Sequence, residues 1–435
     1  MSRLTDHLII ISFDCLSALD VPQMQELPNF KAFIDKSSFC TDVETIYPSV
    51  TYPCHTTIVT GNLPNKHCIV NNTLIQPGRI SPDWFWERKH IKGTTLYDEA
   101  KDAGLKTAAI LWPVTAKAEI DYNMPEIFAN RPWHHQVPVS LLNGSFFFQI
   151  NMQLKFGHIR KGTEQPHLDD FALEAAVHTI KTKKPGLMLL HLVDLDHQRH
   201  LHGFSSAEAS EAIRRHDARL GRIMAAIEEA GISGQSTVAI LGDHSALDES
   251  KVIKLNVLFI KRGLIKMDKS GKIVGWKAFC KSCDGSAYIY VKDAADDSVK
   301  NEVTSMLAEL LRDPESGIEQ AFTGQEANAL GADGHAFRML EARHGYYFSE
   351  GLSGDYIEEI TSEDVIRKKY TRACHGYSPE KEDYKTVFFI SGKGIRPGIT
   401  VRSMHLVDEG PTFARLLGLN LGHTDGRVID GILDE

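Results

Sequence analysis

No stretch of this 435-residue chain stays apolar long enough to cross a bilayer. The run nearest the start, Leu8-Ile-Ile-Ile-Ser12, is too short for the core of a secretion signal or a membrane span, so no membrane partner is expected. Basic blocks are missing too. With net charge −9 and no Lys/Arg cluster, a groove for a nucleic-acid polymer is not expected either. The seven cysteines (Cys15, Cys40, Cys54, Cys68, Cys280, Cys283 and Cys374) are odd in number and scattered. They read as reduced thiols of a cytoplasmic protein, not as a disulfide framework. Cys280-Lys-Ser-Cys283 is a lone C-x-x-C without the second pair that a structural zinc site needs. The chain also lacks a P-loop, internal repeats, low-complexity tracts and coiled-coil heptads.

What is present is an alternation of apolar runs and amphipathic segments. Leu8–Phe13, Thr107–Trp112, Leu187–Val193, Thr237–Leu241 and Val387–Ile390 read as strands. Helices are expected from Leu27 to Ile34, from Thr51, from Thr95 to Ala103, and in a long segment closed by Gly231. Ser205-Ser-Ala-Glu208 has the form of a capping box opening that long helix. Strands bounded by helices predict an α/β fold, a mostly parallel sheet with helices on both faces. At this length one large domain with an insertion, or two domains, is expected. The texture changes between 255 and 370, where Ser286–Val291 and Arg343–Phe348 read as strands and Ser298–Arg312 as a helix. This divides the chain into a core, 1–254 with 371–435, and a smaller α+β insertion at 255–370.

Chemistry-bearing residues collect just past the apolar runs, where ligands bind in such sheets. Asp14 follows the first run, Asp196 and His200 follow the Leu187 run, and Gly242-Asp243-His244 follows the Thr237 run. His375 lies in a loop before the last strand. Thr51, with Pro53 two residues later, sits where a helix begins, and helix starts attract anions. Three carboxylates and three imidazoles without thiolate suit zinc or manganese, often in pairs. Crowded buried carboxylates repel one another, and two dications relieve this.

The stretch Val-Thr51-Tyr-Pro-Cys-His55, running through Gly61, Pro64 and His67 to Asn72, resembles the nucleophile segment of the nucleotide pyrophosphatase/phosphodiesterase family of the alkaline phosphatase superfamily. Asp14, Asp196-x-x-x-His200, Asp243-His244 and His375-Gly-Tyr continue the match in the family's order. The resemblance implies an alkaline-phosphatase-like core and two divalent cations, zinc first and manganese second. Asp14, Thr51, Asp243 and His244 would hold one ion, and Asp196, His200 and His375 the other. It also implies that Asn72 binds a phosphoryl oxygen and that Tyr52 stacks on a nucleobase. His191 stands where the family usually has a tyrosine on the opposite side of that base, while Cys54 and Cys68 replace a usual asparagine and glycine.

The activity expected from both readings is hydrolysis of small phosphodiester or pyrophosphate substrates of nucleotide type through a phosphothreonine on Thr51. Metal coordination activates the hydroxyl, so no general base is needed. The single-metal sulfatase signature, C/S-x-P-x-R, is missing. A phosphomonoesterase or phosphonate hydrolase on the same metal core remains an alternative, as does a non-catalytic metal- or phosphate-binding protein.

Overall fold

Along β1 (His7–Phe13), Ile9, Ile11 and Phe13 enter one apolar cluster, while Leu8 and Ile10 enter another. Successive side chains of a strand point to opposite faces, so this continuous apolar run belongs to a sheet covered on both sides. The structure, a computed structural model, describes residues 2–79 and 81–434. Among the described residues no helix is long and apolar enough to cross a membrane.

The main sheet also contains β2 (Ser38–Glu44), β3 (Thr107–Ile110), β4 (Tyr122–Met124), β5 (Leu187–Leu192) and β6 (Ser236–Leu241), with the late strands Thr386–Gly392 and Met404–His405. Its order is Met404–His405, β2, Thr386–Gly392, β6, β1, β5, β3, β4. Neighbours are parallel except Thr386–Gly392, which runs antiparallel between β2 and β6. Helices Pro28–Ile34, His167–Lys183 and Ala207–Glu229 cover one face through residues such as Phe30, Ile180 and Leu220. Helices Thr51–Thr60, Leu96–Asp102 and Glu409–Leu417 cover the other through Ile58, Leu96 and Phe413.

Register positions the site. Phe13 pairs with Leu192 of β5, and Ser12 with Leu241 of β6. Parallel strands held level end on the same side, so the residues that follow β1, β5 and β6 emerge next to one another.

A smaller antiparallel sheet orders Ala278–Cys283, Ser286–Val291, Arg338–Ala342 and Ile318–Thr323. Helix Asp297–Leu310 packs in the same apolar cluster through Val299, Val303 and Met306, and so do Leu247, Val252, Tyr377 and Tyr384 from the flanking chain.

Three local expectations change. The long helix starts at Ala207 with Ser206 as its N-cap, whose side chain accepts from the Ala209 N–H. The residue facing the cap is thus Ala209, which has no acceptor, and the Ser205–Glu208 box does not form. The strand expected from Arg343 begins only at Tyr346, after Gly345 turns the chain at φ +87°. β3 stops at Ile110, because Leu111 is in the left-handed region at φ +54°.

Candidate metal centre and nucleophile

Asp14 follows β1, and Asp243 and His244 follow β6; one ligand atom from each of the three lies within 4.8 Å of the others. His244 Nε2 is 3.3 Å from Asp14 Oδ1 and 3.2 Å from Asp243 Oδ2. Thr51 Oγ1, on the first residue of helix Thr51–Thr60, is 3.3 Å from the same nitrogen. Asp196 and His200 lie on helix Asp194–His202, four residues apart and hence on one face, with His200 Nε2 3.2 Å from Asp196 Oδ2. His375 Nε2 is 3.8 Å from Asp196 Oδ1, and these three form a second group within 4.8 Å. The two groups adjoin, since the His244 and His375 rings are centred 4.0 Å apart. Asp194, two residues before Asp196, turns away to Arg215 and Arg219 at 2.7 and 3.0 Å.

The loop that delivers His375 is clamped. The Gly376 N–H donates to Ser49 O at 3.0 Å and the Gly285 N–H donates to His375 O at 2.8 Å. Gly376 takes φ +87°, and a Cβ there would meet Cys283 O at 1.7 Å, so only glycine lets the loop lie against the smaller sheet. The Tyr52 N–H donates to Asn72 Oδ1 at 2.8 Å. This engages the carbonyl end of the Asn72 amide and leaves its NH2 end for a ligand.

Protein atoms alone leave the cluster electrostatically unbalanced. Burial, then the charges of Asp243 and Asp196, push the Asp14 carboxyl well above its usual range. Burial pushes Asp243 up to about 7 and holds His244 near about 4 and His375 near about 3. Burial also opposes ionisation of Asp196 and His200, yet each charge overrides it for the other: Asp196 is held well below the usual carboxylate range and His200 is raised to about 10. Asp14 Oδ1, Asp243 Oδ2 and Asp196 Oδ1 are buried without a hydrogen-bond partner among the described residues. An unsatisfied buried acceptor costs about 1–3 kcal/mol, more when charged. Carboxylate oxygens left open among imidazoles form a donor set that suits zinc or manganese, so these residues fit divalent cations.

Two assignments are corrected. Tyr52 is 0 % exposed and packs among Ile69, Ile91, Val114 and Trp84, so its ring offers no open face to a base. His191 is equally buried; it lies beneath Asp14, with Nε2 3.0 Å from Asp14 Oδ2 and Nδ1 3.1 Å from Leu111 O. It braces a carboxylate and does not flank a base. His191→Ala is expected to weaken divalent-metal binding about 10- to 100-fold, as loss of a group orienting a ligand does. Competition against a chromophoric chelator reads this, and an unchanged affinity would mean that Asp14 needs no brace.

Sequence reasoning missed three residues. His55 joins Ser12 Oγ (3.0 Å), Thr51 O (2.8 Å) and Asp243 Oδ2 (3.5 Å), and its four-residue spacing from Thr51 was the available signal. Glu126, just past β4, has one buried oxygen without a hydrogen-bond partner, 3.8 Å from His191 Nδ1, and burial pushes its carboxyl up to about 7. A three-residue strand gives too short a pattern to mark it. Cys15 lies in the site directly after Asp14, with its sulfur near Asp196 and His244. A cavity of about 460 Å³ opens beside His200, lined by Asp284, Tyr347 and Tyr370. Another of about 610 Å³ lies beyond Tyr52, lined by Trp84, Trp86 and Phe128.

The sequence profile described as type I phosphodiesterase / nucleotide pyrophosphatase matches residues 8–378. Human ectonucleotide pyrophosphatase/phosphodiesterase family member 1 is 24% identical over 232 residues, which are 50% of this chain and 21% of that protein. Venom phosphodiesterase 2 of Crotalus adamanteus is 23% identical over 249 residues, 54% of this chain and 26% of that protein. The match thus spans only about a quarter of the length of these relatives. A structure of murine ectonucleotide pyrophosphatase/phosphodiesterase 5, an inactive variant in complex with AMP, aligns at TM-score 0.67 with 18% identity, covering 99% of this chain and 100% of that one. The fold is therefore shared, and the main sheet is alkaline-phosphatase-like.

Proposed function

Because the chain belongs to the type I phosphodiesterase / nucleotide pyrophosphatase family, we propose that it hydrolyses phosphodiester or pyrophosphate bonds of small nucleotide-type substrates, with Thr51 as nucleophile. The observation that carries this reading is the Thr51 hydroxyl, 3.3 Å from His244 Nε2, beside carboxylate oxygens that no donor among the described residues satisfies. Asp14, Thr51, Asp243 and His244 would hold one divalent cation, and Asp196, His200 and His375 a second. When bound, the cations supply the positive charge that lowers the hydroxyl pKa and polarises the phosphoryl group, zinc being the first choice.

Thr51 Oγ attacks phosphorus in line; a new O–P bond forms as the bond to the leaving oxygen breaks, giving a phosphothreonine. Water then attacks that phosphorus, and Thr51 leaves with its hydroxyl restored. Asn72, fixed by the Tyr52 N–H, directs its NH2 toward a phosphoryl oxygen whose charge grows in the transition state. Asn72→Ala is expected to retain metal and to lose about 10²–10³-fold in kcat, the usual effect of removing one such donor. A fall confined to KM would instead assign Asn72 to ground-state binding.

The AMP bound to the murine relative supports a nucleotide-type substrate. With Tyr52 and His191 buried, contacts to the base would come from the cavity beside His200. Seven free cysteines support a reducing, cytoplasmic location. The test compares bis-p-nitrophenyl phosphate, p-nitrophenyl phosphate and p-nitrophenyl thymidine monophosphate, with zinc or manganese added. Diester hydrolysis, fastest with the nucleotide ester, is expected. A strong preference for the monoester would overturn the reading, and indifference to the base would remove the nucleotide from it.

A further inference from the structure

We propose that Cys15 is a metal ligand in this chain, its thiolate reaching an ion between Asp196 and His244 and biasing the centre toward soft dications, zinc and cadmium, over manganese. The inference rests on the two-metal reading of the site. Cys15 Sγ and one ligand atom each of Asp196 and His244 lie within 4.8 Å of one another. This third set takes one member from each of the two groups above, so the sulfur stands at the seam between them. Asp14 and Asp243, 3 % and 0 % exposed, bring their unpartnered oxygens Oδ1 and Oδ2 to the same centre.

The backbone holds the thiol there. Cys15 takes φ +67°, a left-handed conformation that costs any residue but glycine. Its N–H donates to Asp243 Oδ1 at 3.1 Å. Arg199, a buried cation paired with Asp20 at 2.6 Å, donates to the Cys15 carbonyl and stands 3.7 Å from its sulfur. Burial pushes the Cys15 thiol up and Arg199 opposes this only in part, so the charge of a bound dication would be what releases its proton to solvent. The competing reading is a small apolar side chain among Ala246, Ala373 and Phe204. Glycine would fill that role without backbone strain, whereas strain retained at a site calls for a function. Thiolate is the one donor in the centre that discriminates by softness, since carboxylate serves manganese as well as zinc.

Cobalt(II) substitution tests this without relying on turnover. Visible ligand-field bands report that the centre binds metal, and a sulfur-to-cobalt charge-transfer band in the near ultraviolet reports thiolate ligation. Both are expected in the parent protein. Cys15→Gly, which the positive φ accommodates, and Cys15→Ser should keep the visible bands and lose the near-ultraviolet one. Visible bands alone in the parent would overturn Cys15 ligation and leave the metal reading standing; neither band would overturn both. A near-ultraviolet band that survives in Cys15→Gly would belong to another cysteine and overturn the assignment. Cadmium affinity should fall about tenfold or more in Cys15→Gly while manganese affinity holds. An equal loss for both metals would mark a merely structural residue.

Discussion

Thr51→Ala should retain metal and lose diester hydrolysis by at least about 10³-fold, as enzymes stripped of their nucleophile do. The Thr51 side chain makes no capping bond at the start of helix Thr51–Thr60, whose N-cap is Val50. Alanine therefore fits the first helical position, and the Tyr52 N–H keeps its bond to Asn72. Six of the seven side chains proposed to hold the two cations remain, as does Cys15, so metal content measured by elemental analysis should be nearly unchanged. The loss falls on chemistry because only Thr51 supplies the oxygen that bonds to phosphorus. Thr51→Ser restores that oxygen and should return most of the rate, and intact-mass measurement after rapid quenching should find a phosphoryl adduct in Thr51-containing protein only. Full turnover by the alanine variant would rule out the covalent route.

Removing metal should destabilise the protein, and increasingly so above about pH 6.5. In the metal-free protein, Asp14 and Asp243 have folded-state pKa values raised above the unfolded value of about 3.9, to about 7 for Asp243. Their stabilisation is complete below pH 3.9 and is lost as pH rises through those folded values. His244 and His375, lowered to about 4 and about 3, act in the opposite sense: their contribution is present above about pH 6.5 and lost as pH falls. The two effects offset each other between about pH 4 and pH 6.5. Above that window His244 and His375 contribute nothing further, Asp243 completes its loss near about pH 7, and His200, raised to about 10, loses its contribution as pH rises further. Each unit of displaced titration is worth about 1.4 kcal/mol. Bound dications keep the carboxylates ionised and the imidazoles neutral, which abolishes this slope, and metal at a hundred times its Kd adds about 2.7 kcal/mol per site. Melting temperatures with chelator and with zinc, compared at about pH 6.5 and about pH 9, should diverge at the higher pH. Curves that coincide at both would mean that no ion sits in the cluster.

The apolar run Leu8–Phe13 and its counterparts announced a sheet covered on both faces, because a strand's period of two is written locally and both parities are apolar. Strand-end placement marked Asp14, Asp243 and His244. Four-residue spacing marked Asp196 with His200, since one helical turn brings them to one face. A helix start with Pro53 two residues on marked Thr51, and residue type in a loop before the last strand marked His375; order along the chain carried the resemblance, and with it Asn72.

The tertiary structure alone decided which faces of those residues remain open. Tyr52 is closed off by Trp84, Ile91 and Val114, which lie more than thirty positions away in sequence, and His191 by a carbonyl of Leu111. Glu126 is delivered by a strand too short to carry a period. Cys15 looked like one reduced thiol among seven until β1, β5 and β6, held level by their hydrogen bonds, set its sulfur within 4.8 Å of ligand atoms of Asp196 and His244. Local periodicity fixes which elements form and which residues end them. Solvent access and ligand grouping depend on chain segments that meet only after folding, and no local pattern encodes them.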